Sequence, residues 1–137
     1  MDTFNLKVIA SNRIFFDGEA QSLVIPSADG GLMGFLANHE NYVVPIILGE
    51  MKIVDAKGKT VNAFVDDGFL EFIDNTATLV CISAELPEEI DERRAREAQE
   101  RAEEQMRQKQ SILEYNHSQA NLARAMERLK VKTRYRV

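Results

Sequence analysis

All three prolines and all seven glycines of this 137-residue chain lie at or before Pro87. Residues 88–137 therefore contain nothing that removes a backbone donor or loosens the backbone, and their charged, unbranched composition favours helix. The chain must divide into a turn-rich front and a helical rear. Pro87 suits a first helical turn, and Glu88, Glu89 and Asp91 follow where a helix dipole favours acids. A second start is predicted at Ser111-Ile112-Leu113-Glu114, a capping-box spacing. The rear thus reads as two helices with a turn near Lys109 and Gln110.

In the second helix Ile112, Tyr115, Gln119, Leu122, Met126 and Leu129 recur at three- and four-residue steps, five of them able to pack. The first helix repeats Ala95, Ala98, Ala102 and Met106 in the same way. Small side chains permit close approach but bury little area, so the hairpin is expected to be weakly held. Folding it symmetrically about the turn brings Asp91 near Arg128 and Arg94 near Arg124. Arg124 and Arg128 stand one helical turn apart on one face.

The front alternates as a sheet. Phe4, Leu6 and Val8 have the two-residue period of a half-buried strand. Asp17-Gly18 reads as a hairpin turn, Pro26 stops a third apolar run, and Gly30 to Gly34 reads as a flexible bend. Lys57-Gly58-Lys59 and Asp74-Asn75 mark further turns. Eight or more short strands in some 84 residues favour an all-β sandwich or flattened barrel. The expected organisation is a β-sandwich over residues 1–86 and an antiparallel helical hairpin over 87–137.

With 45% hydrophobic and 28% charged residues the composition is that of a folded soluble protein. No apolar run is long enough to span a bilayer and the N-terminus lacks the pattern of a signal peptide, so a cytoplasmic setting is expected. Cys81 is the lone cysteine, and a buried inert thiol is the simpler reading. Residues 1–86 carry a net charge of −7 and residues 87–137 a net +2, together the −5 of the chain. An acidic front half argues against a general nucleic-acid surface. The basic run from Lys130 to Arg136 reads first as a solvated terminus, with phosphate or an acidic partner as the alternative.

Catalytic constellations are hard to find. His39 and His117 have no nucleophile motif beside them, and these histidines with Cys81 do not make a zinc set. The glycines of residues 30–34 lack the Lys-Ser/Thr of a phosphate-binding P-loop. The arginines are more informative, because a guanidinium fork matches phosphate geometry. From spacing alone, salt bridges to Asp91, Glu92 and Glu127 are the simpler reading.

Several strings then point one way. They are Asp17-Gly18-Glu19-Ala20, Val24-Ile25-Pro26, Gly31-Leu32-Met33-Gly34-Phe35-Leu36-Ala37-Asn38-His39, Leu48-Gly49 and Asp67-Gly68-Phe69-Leu70-Glu71-Phe72. In the rear, Ile90-Asp91-Glu92-Arg93-Arg94-Ala95 and Arg124-Ala125-Met126-Glu127-Arg128-Leu129 fit an I/L-D-x-x-R-A motif and its R-A-x-x-R-L partner. In this order they resemble the epsilon subunit of bacterial F-type ATP synthases over nearly the whole chain. Leu32 stands where that family usually has an acid, Glu40-Asn41-Tyr42 where a proline is common, and Asp67 in place of a frequent glycine.

The resemblance implies a non-catalytic rotor subunit of a proton- or sodium-translocating synthase. It implies a β-sandwich of about ten strands attached to the gamma subunit and the c-subunit ring. The helical hairpin would extend toward the alpha/beta catalytic hexamer to block ATP hydrolysis, or fold back and bind ATP, alone or with Mg2+. The residues carried over for ATP are Ile90, Asp91, Arg94, Arg124, Arg128 and Glu85, and for the c-ring-facing loop Gly31, Leu32, Met33, Gly34 and His39. No catalytic or metal-ligating residue is implied. Such a subunit would sit peripherally at the cytoplasmic face of the bacterial cell membrane and meet the membrane only through the c-ring. A structural adaptor with a partner-docking hairpin and no nucleotide site is the alternative.

Overall fold

The computed structural model describes residues 2–108 and 111–135. The chain separates into two compact units, Met1–Leu86 and Pro87–Val137. Among the described residues the first holds nine strands, β1 (Phe4–Ala10), β2 (Arg13–Pro26), β3 (Leu32–Leu36), β4 (Tyr42–Ile46), β5 (Gly49–Asp55), β6 (Thr60–Val65), β7 (Gly68–Ile73), β8 (Thr76–Cys81) and β9 (Ala84–Glu85). The hydrogen-bonded order is β4-β7-β8-β1-β2-β5-β6-β9, with β3 also paired to β2.

The fourteen-residue β2 explains the sandwich. Its first half pairs with β1 through Ala20, and its second half lies between β5 and β3. A register irregularity between Ala20 and Ser22 lies at the changeover, where a bulge lets a strand bend. The nine strands agree with the sandwich of about ten that the family resemblance implies. β1 and β8 run parallel, whereas every other pair is antiparallel.

Alternation fills the space between the layers. Phe4, Leu6 and Val8 of β1 point inward with Leu23 and Ile25 of β2, Met51 and Ile53 of β5, and Leu70 and Phe72 of β7. The Phe4 and Phe72 rings lie 5.3 Å apart and those of Phe35 and Phe72 5.8 Å apart. Asp74 and Asn75, both with positive φ, close the β7–β8 hairpin as a two-residue turn. Asp55 Oδ1 accepts the Lys57 and Lys59 N–H groups at the tip between β5 and β6.

Two turn expectations are corrected. Asp17-Gly18 is not a turn, because β1 pairs with β2 past this point and holds both residues extended, opposite Lys7 and Leu6. The bend at Gly30 and Gly31, with φ 92° and 83°, ends sooner than expected, and Leu32–Leu36 is a full strand against Ser22–Pro26.

In the second unit Pro87–Glu89 forms one 3-10 turn, followed by α1 (Glu92–Arg107) and α2 (Ile112–Arg134). The first helix starts later than Pro87 because Asp91 is the better cap. It holds an extended backbone while its carboxylate accepts the Arg94 N–H at 3.1 Å. Ser111 caps α2 as expected, its Oγ accepting the Glu114 N–H at 3.2 Å. The turn expected at Lys109 and Gln110 lies outside the described residues. Of the basic run expected as a solvated terminus, residues 130–134 continue α2, with Lys130 and Arg134 exposed and Lys132 half-buried, and Arg136 lies outside the described residues. Among the described residues no helix is long and apolar enough to cross a membrane.

Candidate functional site

The two helices meet through small side chains. Ala95 and Ala102 are the buried residues of α1, and Ser118, Ala125 and Val131 those of α2. The expected packing of Ile112, Tyr115 and Met126 is corrected, for all three are exposed, Ile112 by 82%. A hydrogen bond from Ser118 Oγ to Gln105 Oε1, at 3.3 Å, fixes the register and supplies the reason. Residues 112–117 of α2 precede this contact, whereas only residues 106 and 107 of α1 follow it. The start of α2 therefore overhangs α1, and the symmetric pairing expected about the turn is displaced by roughly one to two helical turns.

This displacement changes which arginines meet. A groove of about 250 Å³ between the helices is lined by Arg101, Gln105, Asn121, Arg124 and Arg128 over a floor of alanines. Arg124 and Arg128 come together as expected, but their neighbour across the groove is Arg101 and not Arg94. Arg94 stands one turn before Ala98, on the stripe Asp91, Arg94, Ala98, Arg101, Gln105 that helical spacing places on one face of α1. The signal for Arg101 was present in the sequence, because it follows Arg94 by seven residues, two turns along the same face.

The other arginines of α1 are engaged within their own helix. Arg96 bridges Glu92 at 2.8 Å, Arg107 bridges Glu104 at 3.0 Å, and Arg93 approaches Glu97 at 3.7 Å. Arg94 and Arg101 belong to none of these pairs. Arg124 donates to Asn121 Oδ1 at 3.4 Å, one of the contacts that place its guanidinium on the groove. Ile90 is buried, and Asp91 is the N-cap. Glu85 lies in the first unit, on β9 opposite Phe64. Three guanidinium groups and two carboxamides around one groove offer many donors in forked geometry, a set suited to an anion with several oxygens.

The residues assigned to the c-ring-facing loop do not form one loop. Gly31 and Leu32 stand at one end of β3 and His39 beyond the other, about 13 Å of strand apart. Leu32 is 71% exposed, while Met33 packs against the core. The His39 ring packs against Phe35, at 4.6 Å between centroids, and Phe72, at 5.4 Å, and its Nδ1 lies 2.7 Å from the Glu40 carbonyl oxygen. It is a packing residue of the sandwich. Cys81 is a free, buried thiol whose burial, helped by the nearby Asp66 charge, pushes its pKa up to about 11. Such a thiol is a poor nucleophile.

Sequence reasoning also missed an outer face of the sandwich. Pro45, Phe69, Val80 and Ile9 stand in register across β4, β7, β8 and β1. They line an apolar depression of about 830 Å³, with Phe69 62% and Val80 52% exposed. A contiguous apolar patch of this kind marks an interaction surface.

The comparisons with known proteins agree with this division. Residues 3–87 match the family model of the ATP synthase delta/epsilon chain β-sandwich domain, and residues 88–133 that of its long alpha-helix domain. The ATP synthase epsilon chain of Ruminiclostridium cellulolyticum is 43% identical over 136 residues, covering 99% of this chain and 100% of the relative. That of Caldicellulosiruptor bescii is 40% identical and covers 96% and 94%. Among solved structures, a chain of the Euglena gracilis mitochondrial ATP synthase superposes with a TM-score of 0.77 at 20% identity, covering 96% of this chain and 80% of its own. A chain of the Tetrahymena thermophila mitochondrial ATP synthase central stalk and c-ring gives 0.67 at 10%, covering 93% and 95%. At those identities the likeness is one of fold. Matched in both units, in order and along its whole length, the chain belongs to the ATP synthase epsilon chain family.

Proposed function

We propose that this chain is a non-catalytic central-stalk subunit of an F-type ATP synthase whose helical hairpin senses ATP. The sandwich attaches to the gamma subunit and the c-ring, and its outer apolar face around Phe69 and Val80 is the surface we assign to gamma. The hairpin closes on ATP through the groove of Arg101, Arg124 and Arg128. When open, it reaches the alpha/beta hexamer and inhibits hydrolysis. Family membership and the likeness to chains of stalk complexes support this reading, and the arginine groove carries the nucleotide part of it.

A volume of about 250 Å³ is small for a whole nucleotide, since ligand pockets run from about 300 to 1,000 Å³. The groove suits the phosphate chain, with Arg94 and Asp91 along the same stripe toward the start of α1. Each charge-assisted hydrogen bond to phosphate contributes about 1.5–3 kcal/mol. The ligand shifts the hairpin only by its differential affinity for the closed form, and an interface of alanines leaves the two forms close enough to shift.

Calorimetric titration of the isolated chain with ATP, with and without magnesium, tests this. Arg101→Ala, Arg124→Ala and Arg128→Ala should each weaken binding by roughly tenfold or more while the sandwich melts unchanged. Unaltered affinity in all three removes the groove as the site. No binding at millimolar ATP, with normal assembly into the rotary complex, favours the adaptor.

A further inference from the structure

The basic run at the end of α2 has a use that neither a solvated tail nor the groove explains. Lys132 Nζ donates to the Pro87 carbonyl oxygen at 3.0 Å, in a partly buried setting. That carbonyl also accepts the Ile90 N–H at 3.2 Å and so closes the 3-10 turn directly ahead of Asp91. A single oxygen thus receives the turn's own bond and a cation from the far helix. Pro87, Ile90 and Val131 are buried at this end of the hairpin. Lys132 also ends the stripe Arg124, Arg128, Lys132, at four-residue steps on one face of α2.

We propose that Lys132 is the latch of the closed hairpin and a positioning residue for the groove. It ties the last turn of α2 to the turn that presents Ile90 and Asp91. In doing so it holds Arg128 and Arg124, one and two turns earlier, in register with Arg101. A lysine suits this place because its compact ammonium on a flexible stem reaches a lone carbonyl without needing the paired acceptors that an arginine fork prefers. The latch itself needs no ligand; its effect on nucleotide affinity rests on the reading of the groove given above.

Amide hydrogen exchange of the full chain, first without nucleotide, tests the latch. In Lys132→Met the Ile90 and Tyr135 amides, bonded to Pro87 and Val131, should exchange roughly tenfold faster, the size expected for loss of one charge-assisted bond. Lys132→Arg, which keeps the charge but not the compact ammonium, should recover only part of the protection, and Lys132→Gln gives a polar second variant if the methionine one folds poorly. ATP titration of the same variants forms the second arm. Faster exchange with weaker ATP binding than the unsubstituted chain supports both readings, and faster exchange where the unsubstituted chain itself binds no ATP keeps the latch and removes the nucleotide site. Unchanged exchange overturns the latch, and if ATP affinity still falls, Lys132 is a phosphate ligand instead.

Discussion

The sandwich and the hairpin bury different kinds of side chain, and this difference sets what each can do. Between the sheets lie Phe4, Phe35, Phe72, Met51 and a set of leucines and isoleucines that are all but inaccessible. Cutting such a residue to alanine costs about 2–5 kcal/mol, so the sandwich has essentially one state. Between the helices the buried set is Ala95, Ala102, Ser118, Ala125 and Val131. An alanine methyl contributes only about 0.8 kcal/mol on burial. A contact between these helices can be made or lost for the binding energy of one small ligand, whereas the sandwich cannot. This contrast is what the proposed function calls for, a fixed mount in the first unit and a responding part in the second.

The contrast can be broken most severely at Gly68. A Cβ there would lie 2.0 Å from the Val80 carbonyl oxygen and 2.7 Å from Cys81 Cα, so β7 and β8 would have to part. Gly68→Ala should cost more than about 3 kcal/mol or abolish folding, read by urea denaturation. A smaller effect is expected from pH. The Cys81 thiol holds its proton more tightly folded, with a pKa of about 11, than its ordinary value of 9.0. Its contribution to stability is full below pH 9 and lost as pH rises through 11. A Cys81→Ala chain should lack that part of the alkaline loss in thermal melts of the sandwich.

Smallest of all is Ser118→Ala, which removes the bond to Gln105. It should weaken the hairpin by about 0.5–1.5 kcal/mol, seen as faster exchange of α2 amides, with the β amides unaffected. An equal loss in both units would mean that they are not independent.

The sandwich was legible in the sequence because alternation is local. Phe4-Leu6-Val8 needs no knowledge of its neighbours to show its buried face. Asp17-Gly18 and Gly30 to Gly34 misled because glycine permits a turn without requiring one, and pairing with β1 and with Ser22–Pro26 decided otherwise. In the hairpin both helices and the Ser111 cap were legible, but the register was not. It is marked by side-chain bonds, Ser118 to Gln105 and Lys132 to Pro87, between residues with no hydrophobic signature. Arg101 and Lys132 were missed for that reason, since a facing pair can be named only once the offset between helices is known. The apolar face at Phe69 escaped notice because at this end of β7 and β8 the outward Phe69 and Val80 are as apolar as the inward Leu70 and Leu79 beside them.

The central claim is that ATP stabilises the hairpin and leaves the sandwich alone. Hydrogen exchange of the whole chain with and without ATP, resolved to both units, tests it most directly. With ATP at a hundredfold its Kd, amides of α1 and α2 that exchange by hairpin opening should slow by about hundredfold, while those of β1, β7 and β8 keep their rates. Equal slowing in both units, or none in the hairpin at an ATP concentration shown to saturate binding, would contradict the account.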